Sequence, residues 1–136
     1  MSDRVFLSVV VPLYNEAENV SDLHRELVAA LERLGRPFEI LLVDDGSRDG
    51  TTEKVLELEA RDPRVRGVLL RRNFGQTAAF SAGFDLARGE VVVTSDGDLQ
   101  NDPADIPAMI DLAEQRDADI VAGWRKDRKD AFISRR

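Results

Sequence analysis

Two carboxylates and one amide follow a run of mostly β-branched residues in the second half of this 136-residue chain. Asp96 and Asp98 come after Val91-Val-Val-Thr-Ser, with Gly97 between them and Gln100 close behind. A buried strand would deliver these oxygen ligands at its carboxyl end, and the glycine permits a tight turn. Mg²⁺ and Mn²⁺ take such ligands and share them with phosphates. The same pattern also fits an ordinary acidic turn, so it predicts a metal site only in combination with other residues.

Short apolar runs predict the strands that would position this turn. These runs are Phe6–Leu13, Glu39–Val43, Val65–Leu70, Glu90–Thr94 and Asp119–Ala122. Their hydrophobicity is nearly continuous rather than alternating, which indicates burial on both faces and hence a parallel sheet.

Helical spacing of apolar residues fills the segments between these runs. The first helix carries Val20, Leu23, Leu27, Leu31 and Leu34, with Asn15 as a candidate N-cap and Gly35 as a stop. Further helices are predicted over Thr51–Ala60, Gln76–Arg88 and Pro103–Gln115, the last capped by Asp102. The alternation predicts one α/β domain, with a doubly wound, mostly parallel sheet of about five strands and helices on both faces.

Ligands of such sheets bind outside the carboxyl ends of the strands, and polar residues cluster at these predicted ends. They are Tyr14, Asn15, Glu16, Asp44, Asp45, Ser47, Arg71, Arg72, Gln76, Asp96, Asp98 and Arg125. Gathered carboxylates need a cation or hydrogen-bond donors to compensate them. A divalent metal, sugar hydroxyls and nucleobase N–H groups would supply both, and arginines suit phosphates. The cluster predicts a pocket for a metal-chelated nucleotide.

Several of these residues also have a purely structural explanation. Asp44-Asp-Gly-Ser47 is compatible with a turn that places Gly46 at positive φ. Asn15 and Glu16 are compatible with capping of the first helix, and Tyr14 with ordinary packing. The single histidine, His24, is expected at the surface.

Composition excludes several classes of function. Zero cysteines exclude disulfides and thiol chemistry, and a net charge of −7 argues against nucleic-acid binding. No segment approaches the about 18 apolar residues of a membrane span, and the N-terminus lacks a signal-peptide layout, so a cytoplasmic domain is expected. Neither the dinucleotide-binding nor the P-loop glycine pattern occurs. Residues 125–136 are basic, which indicates a solvated loop or contact with phosphates or an anionic membrane.

Four motifs resemble the inverting family 2 glycosyltransferases of the GT-A fold. They are Val10-Val-Pro-Leu-Tyr-Asn-Glu16, Val43-Asp-Asp-Gly-Ser-Arg-Asp-Gly-Thr51, Arg72-Asn-Phe-Gly-Gln76 and Ser95-Asp-Gly-Asp-Leu-Gln-Asn-Asp-Pro103. The last two are similar to the polyisoprenyl-phosphate branch, which includes dolichol-phosphate mannosyltransferases and bacterial undecaprenyl-phosphate enzymes.

The resemblance implies a role for each matching residue. Those that would line the nucleotide-sugar pocket are Pro12, Tyr14, Glu16, Asp44, Asp45, Gly46, Gln76 and Gly97. Asp96 would contact the ribose or sugar, Asp98 and Gln100 would bind Mg²⁺ or Mn²⁺ with Asp96 nearby, and Arg125 would meet the diphosphate.

The resemblance also implies the partners: a UDP- or GDP-sugar donor and a polyisoprenyl-phosphate acceptor, met at the cytoplasmic face of a membrane. Members of this branch continue beyond position 136, so the chain is expected to be the donor-binding part, with weak or no transferase activity alone. The remaining alternatives are a polysaccharide or protein acceptor, or a noncatalytic donor-binding module.

Overall fold

The computed structural model describes residues 4–95, 105–115, 120–123 and 131–135. In chain order its elements are β1 (Leu7–Leu13), α1 (Val20–Glu32), β2 (Phe38–Asp44), α2 (Thr51–Arg61), β3 (Val65–Leu69), α3 (Gln76–Leu86), β4 (Val91–Thr94), α4 (Asp105–Gln115), β5 (Ile120–Gly123) and β6 (Ala131–Arg135).

The strands form one sheet in the order β3-β2-β1-β4-β6-β5. The first four strands in this order are parallel, with Leu13 opposite Asp44 and Val10 opposite Thr94. The predicted α/β class and mostly parallel sheet are therefore confirmed. We call the side on which β1 to β4 end the carboxyl edge and the side on which they begin the amino edge.

The far end of the sheet differs from the sequence prediction. Residues 125–136 were expected to be a solvated loop or a segment in contact with phosphates or an anionic membrane, but Ala131–Arg135 forms β6, antiparallel to both β4 and β5. The predicted fifth strand exists, one residue further along at Ile120–Gly123, but it lies beyond β6 rather than beside β4. The prediction rested on the positive charge of the segment. The segment also contains the apolar run Ala131-Phe-Ile133, which can pair along the open side of β4.

Helices cover both faces of the sheet because neighbouring strand residues point to opposite faces. On one face, Val9 and Val11 of β1 join a core with Leu27 of α1 and Ile110 of α4. On the other face, Val10 joins a core that includes Ala79 of α3. Gly83 of α3 lies so near Val10 that a Cβ there would be 2.3 Å from a valine methyl. Burial on both faces explains the continuous apolar runs.

Several helix ends differ from their predicted positions. The N-cap of α1 is Asn19 rather than Asn15, because Asn15 has φ +53° and bonds to the loop after β2 instead. Gly35 follows the helix at φ +64°, in agreement with the predicted stop. The proposed cap of α4, Asp102, and its Pro103 lie outside the described residues. No helix of the described part is long and apolar enough to span a bilayer.

Candidate functional site

Hydrogen bonds join the loops that follow β1 and β2 at the carboxyl edge. The Asn15 N–H donates to Ser47 Oγ (2.9 Å), and Asn15 Oδ1 accepts from the Arg48 N–H (2.9 Å). Asp49 adds a further link by accepting from the Ala17 N–H at 3.2 Å. A hydrogen bond from the Thr51 hydroxyl, stronger in effect than the opposing desolvation, lowers the pKa of Asp49. The two loops therefore form one unit, which sequence spacing alone did not reveal.

Tyr14 and Glu16 lie in the loop that follows β1, within this pair of joined loops. The Tyr14 side chain is 48% exposed, so simple core packing does not explain it. Glu16 Oε2 accepts from Asn19 Nδ2 at 2.8 Å, and its carbonyl accepts the Val20 N–H. The capping role is thus supported for Glu16. Pro12, still within β1, is half-buried opposite Val43.

Asp44 is the last residue of β2, and only 2% of it is exposed. One carboxylate oxygen accepts the Ser47 N–H at 3.0 Å, and the other accepts the Thr52 hydroxyl. These two donors compensate the buried charge. They also fix the turn between β2 and α2, which lies at the carboxyl edge where a ligand is expected.

Asp45 has a different set of donors, all from the loop after β3. Its carboxylate accepts from Asn73 Nδ2 (3.0 Å), the Phe74 N–H (2.8 Å) and the Gly75 N–H (3.0 Å). Its own N–H donates to the Leu13 carbonyl at 2.8 Å. Asp45, 3% exposed, therefore braces the loops after β1, β2 and β3 against one another.

Gly46 permits the close approach of the second and third loops. It has φ +73°, as the turn interpretation predicted, and a Cβ there would lie 2.4 Å from Arg72 C and Asn73 N. Both facts exclude a side chain without backbone movement. Gln76, the first residue of α3, is exposed near the end of this loop.

Ser95, the residue that directly follows β4, is buried beside β1. Its N–H donates to the Val10 carbonyl at 3.0 Å, while its hydroxyl has no partner among the described residues. Five predicted site residues lie outside the described residues: Asp96, Gly97, Asp98, Gln100 and Arg125. Within the described part, no group of three or more potential metal ligands occurs.

Sequence reasoning did not identify Asn73 and Thr52 as residues that hold the predicted carboxylates in place. Asn73, Thr52 and Ser47 all donate to Asp44 or Asp45. Asn73 lies in the quoted Arg72-Asn-Phe-Gly-Gln76 motif, so the motif carried a signal. The sequence did not show that Asn73 bonds to Asp45, because the two residues are 28 positions apart.

Comparison with known proteins identifies relatives of this chain. The family described as "Glycosyl transferase family 2" matches residues 8–136. A dodecaprenyl-phosphate galacturonate synthase of Rhizobium johnstonii is 47% identical over 131 residues, which cover 96% of this chain and 39% of that protein. An undecaprenyl-phosphate 4-deoxy-4-formamido-L-arabinose transferase of Edwardsiella ictaluri is 45% identical over 132 residues, covering 96% and 40%. The chain thus spans about 40% of the length of these relatives.

Solved structures share the fold. The mannosyltransferase PcManGT of Pyrobaculum calidifontis, in complex with GDP-Man and Mn²⁺, superposes with a TM-score of 0.77 at 20% identity, covering 99% of this chain and 46% of that one. Residues 1–349 of S. aureus TarS superpose with a TM-score of 0.65 at 26% identity, covering 85% and 34%.

Proposed function

The chain belongs to glycosyl transferase family 2 and has the GT-A fold, and from this premise we propose that it binds the nucleotide-sugar donor in the inverting transfer of a sugar to a polyisoprenyl phosphate. The proposal treats the 136 residues as a single donor-binding domain.

The observation that carries this proposal is the direction of the connections around β1. Helices α1 and α2 contribute to the core on one face of the sheet, while α3, which connects β3 to β4, packs on the other face. The connections therefore diverge between β1 and its neighbour β4, and doubly wound sheets bind ligands in the crevice outside such a point. Tyr14 and Glu16 follow β1 there, and Asp96-Gly-Asp98 follows β4 in the sequence.

The lipid acceptor is supported by the named relatives. Both act, by name, on a dodecaprenyl or undecaprenyl phosphate, and both are at least 45% identical to this chain over nearly its whole length. We infer from this that the longer protein works where such a lipid is found, with this domain at the cytoplasmic face of a membrane.

The proposed donor site consists of the loops after β1, β2 and β3, which hydrogen bonds join, and the residues that follow β4 in the sequence. Pro12, Tyr14 and Glu16 would line the nucleoside pocket with Asp44, whose turn is held by Ser47 and Thr52. Asp45, Gly46 and Gln76 would shape the wall that the loop after β3 provides. Asp96 and Gly97 would lie against the ribose or sugar, and Arg125 against the diphosphate.

A divalent cation, Mg²⁺ or Mn²⁺, fits this site by the chemistry of its donors. Asp98 and Gln100, with Asp96, offer hard oxygen atoms. The buried hydroxyl of Ser95, which precedes Asp96 in the sequence, has no partner among the described residues. When bound, the cation would stabilise the negative charge of the departing diphosphate.

The proposed chemistry needs little from protein acids or bases. An acceptor phosphate oxygen, already anionic, forms a bond to the anomeric carbon from the face opposite the leaving group. The bond from that carbon to the nucleoside diphosphate breaks, and the electron pair leaves with the diphosphate. The protein's contribution is in-line positioning by a rigid edge, to which the Asp45 brace contributes.

A thermal-shift and calorimetry panel of UDP, GDP and their sugars, with and without Mn²⁺ or Mg²⁺, tests the donor site. We expect one nucleotide to stabilise the chain in a metal-dependent manner and Asp98→Ala to remove the metal dependence. The matched control Asp85→Ala changes an exposed carboxylate on α3 and should leave binding intact. No response to any nucleotide would refute the proposal.

Measuring sugar transfer distinguishes what this domain does alone from what a protein of the relatives' full length does. With undecaprenyl phosphate as acceptor, we expect donor binding but weak or no transfer by this chain, and transfer by a protein of the relatives' full length. Rapid transfer by the chain alone would contradict the expectation that these 136 residues supply donor binding without efficient transfer.

A further inference from the structure

An aromatic side chain stands exposed at the carboxyl edge with arginines around it. Phe74, in the loop after β3, is 51% exposed, and the Arg72 guanidinium carbon lies 5.1 Å from its ring centroid. Arg71 and Arg48 are exposed on the same edge, Arg48 in the loop that contacts Arg72 through Gly46. We call Arg48, Arg71, Arg72 and Phe74 the arginine–phenylalanine patch.

The arginines of this patch differ from most others in the described part of the chain. Elsewhere arginines pair with carboxylates: Arg36 with Glu114, Arg64 with Asp62, and Arg66 and Arg88 with Glu39. Within the described residues, Arg48, Arg71 and Arg72 form no ion pair. Among the carboxylates of these loops, Asp44 and Asp45 are buried and bonded to loop donors, and the exposed Asp49 accepts hydrogen bonds from Ala17 and Thr51. Three arginines that form no ion pair within the described residues therefore lie on the carboxyl edge of an acidic chain.

The patch is held in place rather than loosely attached. The Phe74 N–H and the Gly75 N–H both donate to Asp45, and Asn73 adds a third bond. An exposed aromatic ring on a braced backbone keeps its apolar surface in water at a free-energy cost. That cost is recovered where the ring enters an apolar phase.

We propose that the arginine–phenylalanine patch docks this domain on an anionic lipid surface. Arginines attract the negative surface of a bilayer, and an exposed apolar ring such as that of Phe74 enters the boundary between headgroups and acyl chains. A soluble diphosphate would use the arginines but would leave the Phe74 ring in water. The inference rests on the proposed function in one respect: a lipid acceptor requires the carboxyl edge to meet the membrane.

Vesicle binding of the whole 136-residue chain tests the proposal. The probes are vesicles of phosphatidylcholine alone and of phosphatidylcholine mixed with phosphatidylglycerol, sedimented at low and high salt. We expect binding to the anionic vesicles only, weakened by salt because the attraction is screened. Arg71→Ala with Arg72→Ala should weaken it about thirtyfold, and Phe74→Ala about tenfold.

Two matched variants control for general loss of charge and of apolar surface. Arg33→Ala removes an exposed arginine just after α1, which runs back to the amino edge, and Leu56→Ala removes a side chain that is 44% exposed on α2. Both should bind vesicles as the parent chain does. As a direct readout of depth, the fluorescence of Phe74→Trp in a Trp124→Phe background should be quenched by brominated lipids, whereas that of Leu56→Trp in the same background should not.

The outcomes separate this inference from the proposed function. If the chain does not bind vesicles while a nucleotide still stabilises it, the membrane-docking proposal is wrong and the donor-site proposal stands. If the double arginine variant loses nucleotide binding while its vesicle binding is unchanged, the arginines bind the diphosphate. That result also overturns the membrane-docking proposal. Vesicle binding that depends on the patch, in a chain that binds no nucleotide, supports the patch and refutes the donor site.

Discussion

At the scale of single residues, hydrogen-bond partners decide what each carboxylate at the carboxyl edge can do. Asp44 and Asp45 are adjacent, equally buried and identical in chemistry, yet they bond to different loops. Asp44 holds its own turn, while both oxygens of Asp45 are used by the loop after β3. In the proposed donor site, Asp45 would therefore act through the position of that loop, as a positioning residue.

Asp45→Asn tests this assignment. The amide offers one acceptor in place of two and turns an N–H₂ group toward backbone donors, so we expect the free energy of unfolding to fall by about 2 kcal/mol. Urea denaturation measures the loss, and Asp85→Asn, at an exposed position, is the control for the charge change. Asn73→Ala should be costly too, and the double variant should lose less than the sum of the two. Weakened donor binding with unchanged stability would instead mean that Asp45 touches the donor.

At the scale of elements, Asp62 joins two helices and a strand. It follows α2, accepts from His24 of α1 at 2.9 Å and bonds the Arg64 guanidinium just before β3. His24, expected at the surface, has only 17% of its side chain exposed as a result. Burial raises the pKa of Asp62, but the hydrogen bonds from Arg64 and His24 outweigh it and hold the pKa well below its usual value of 3.8.

The lowered pKa predicts a pH dependence of stability. Because the folded protein holds the charged form more strongly than the unfolded chain, the Asp62 contribution is present above pH 3.8 and is lost as the pH falls below it. Urea denaturation between pH 7 and pH 2 should show the difference between the parent chain and Asp62→Asn shrinking toward low pH. Asp22→Asn, which removes an exposed pair with Arg25, should give a small difference at every pH. A difference between parent and Asp62→Asn that stayed constant to pH 2 would contradict the prediction.

At the scale of the whole molecule, a buried carboxylate also ties the strands together at the amino edge, the side of the sheet away from the proposed donor site. Glu39, 1% exposed at the amino edge, bonds Ser8 of β1 (2.6 Å), Arg66 of β3 (3.0 Å) and both the N–H and the guanidinium of Arg88. This buried carboxylate ties β1, β2, β3 and the start of β4 together, far from the loops that would hold a donor. Hydrogen bonds from these partners outweigh burial and lower the pKa of Glu39.

Glu39→Gln should therefore lower stability without changing donor affinity. We expect a loss of about 2–3 kcal/mol in the free energy of unfolding, since the charge-assisted bonds weaken in a buried site. Glu90→Gln, at an exposed pair with Arg4, is the matched control and should cost little. Calorimetry with the nucleotide found in the donor panel gives the second readout, and a changed dissociation constant in Glu39→Gln would show that the edges are coupled.

The sequence by itself predicted the elements from β1 to β5 in their order and the edge of the sheet at which the proposed donor would bind. Continuous apolar runs, helical spacing and polar residues after each strand are local patterns, and the parallel strands β1 to β4 and the positive φ of Gly46 agree with them. Tertiary structure decided what depends on distant residues. The insertion of β6 between β4 and β5, the pairing of Asp45 with the loop after β3, and the burial of His24 against Asp62 each join segments at least 28 positions apart or compete with other pairings. Spacing along the chain carries no information on which partner wins, because that choice depends on the packing of the whole sheet.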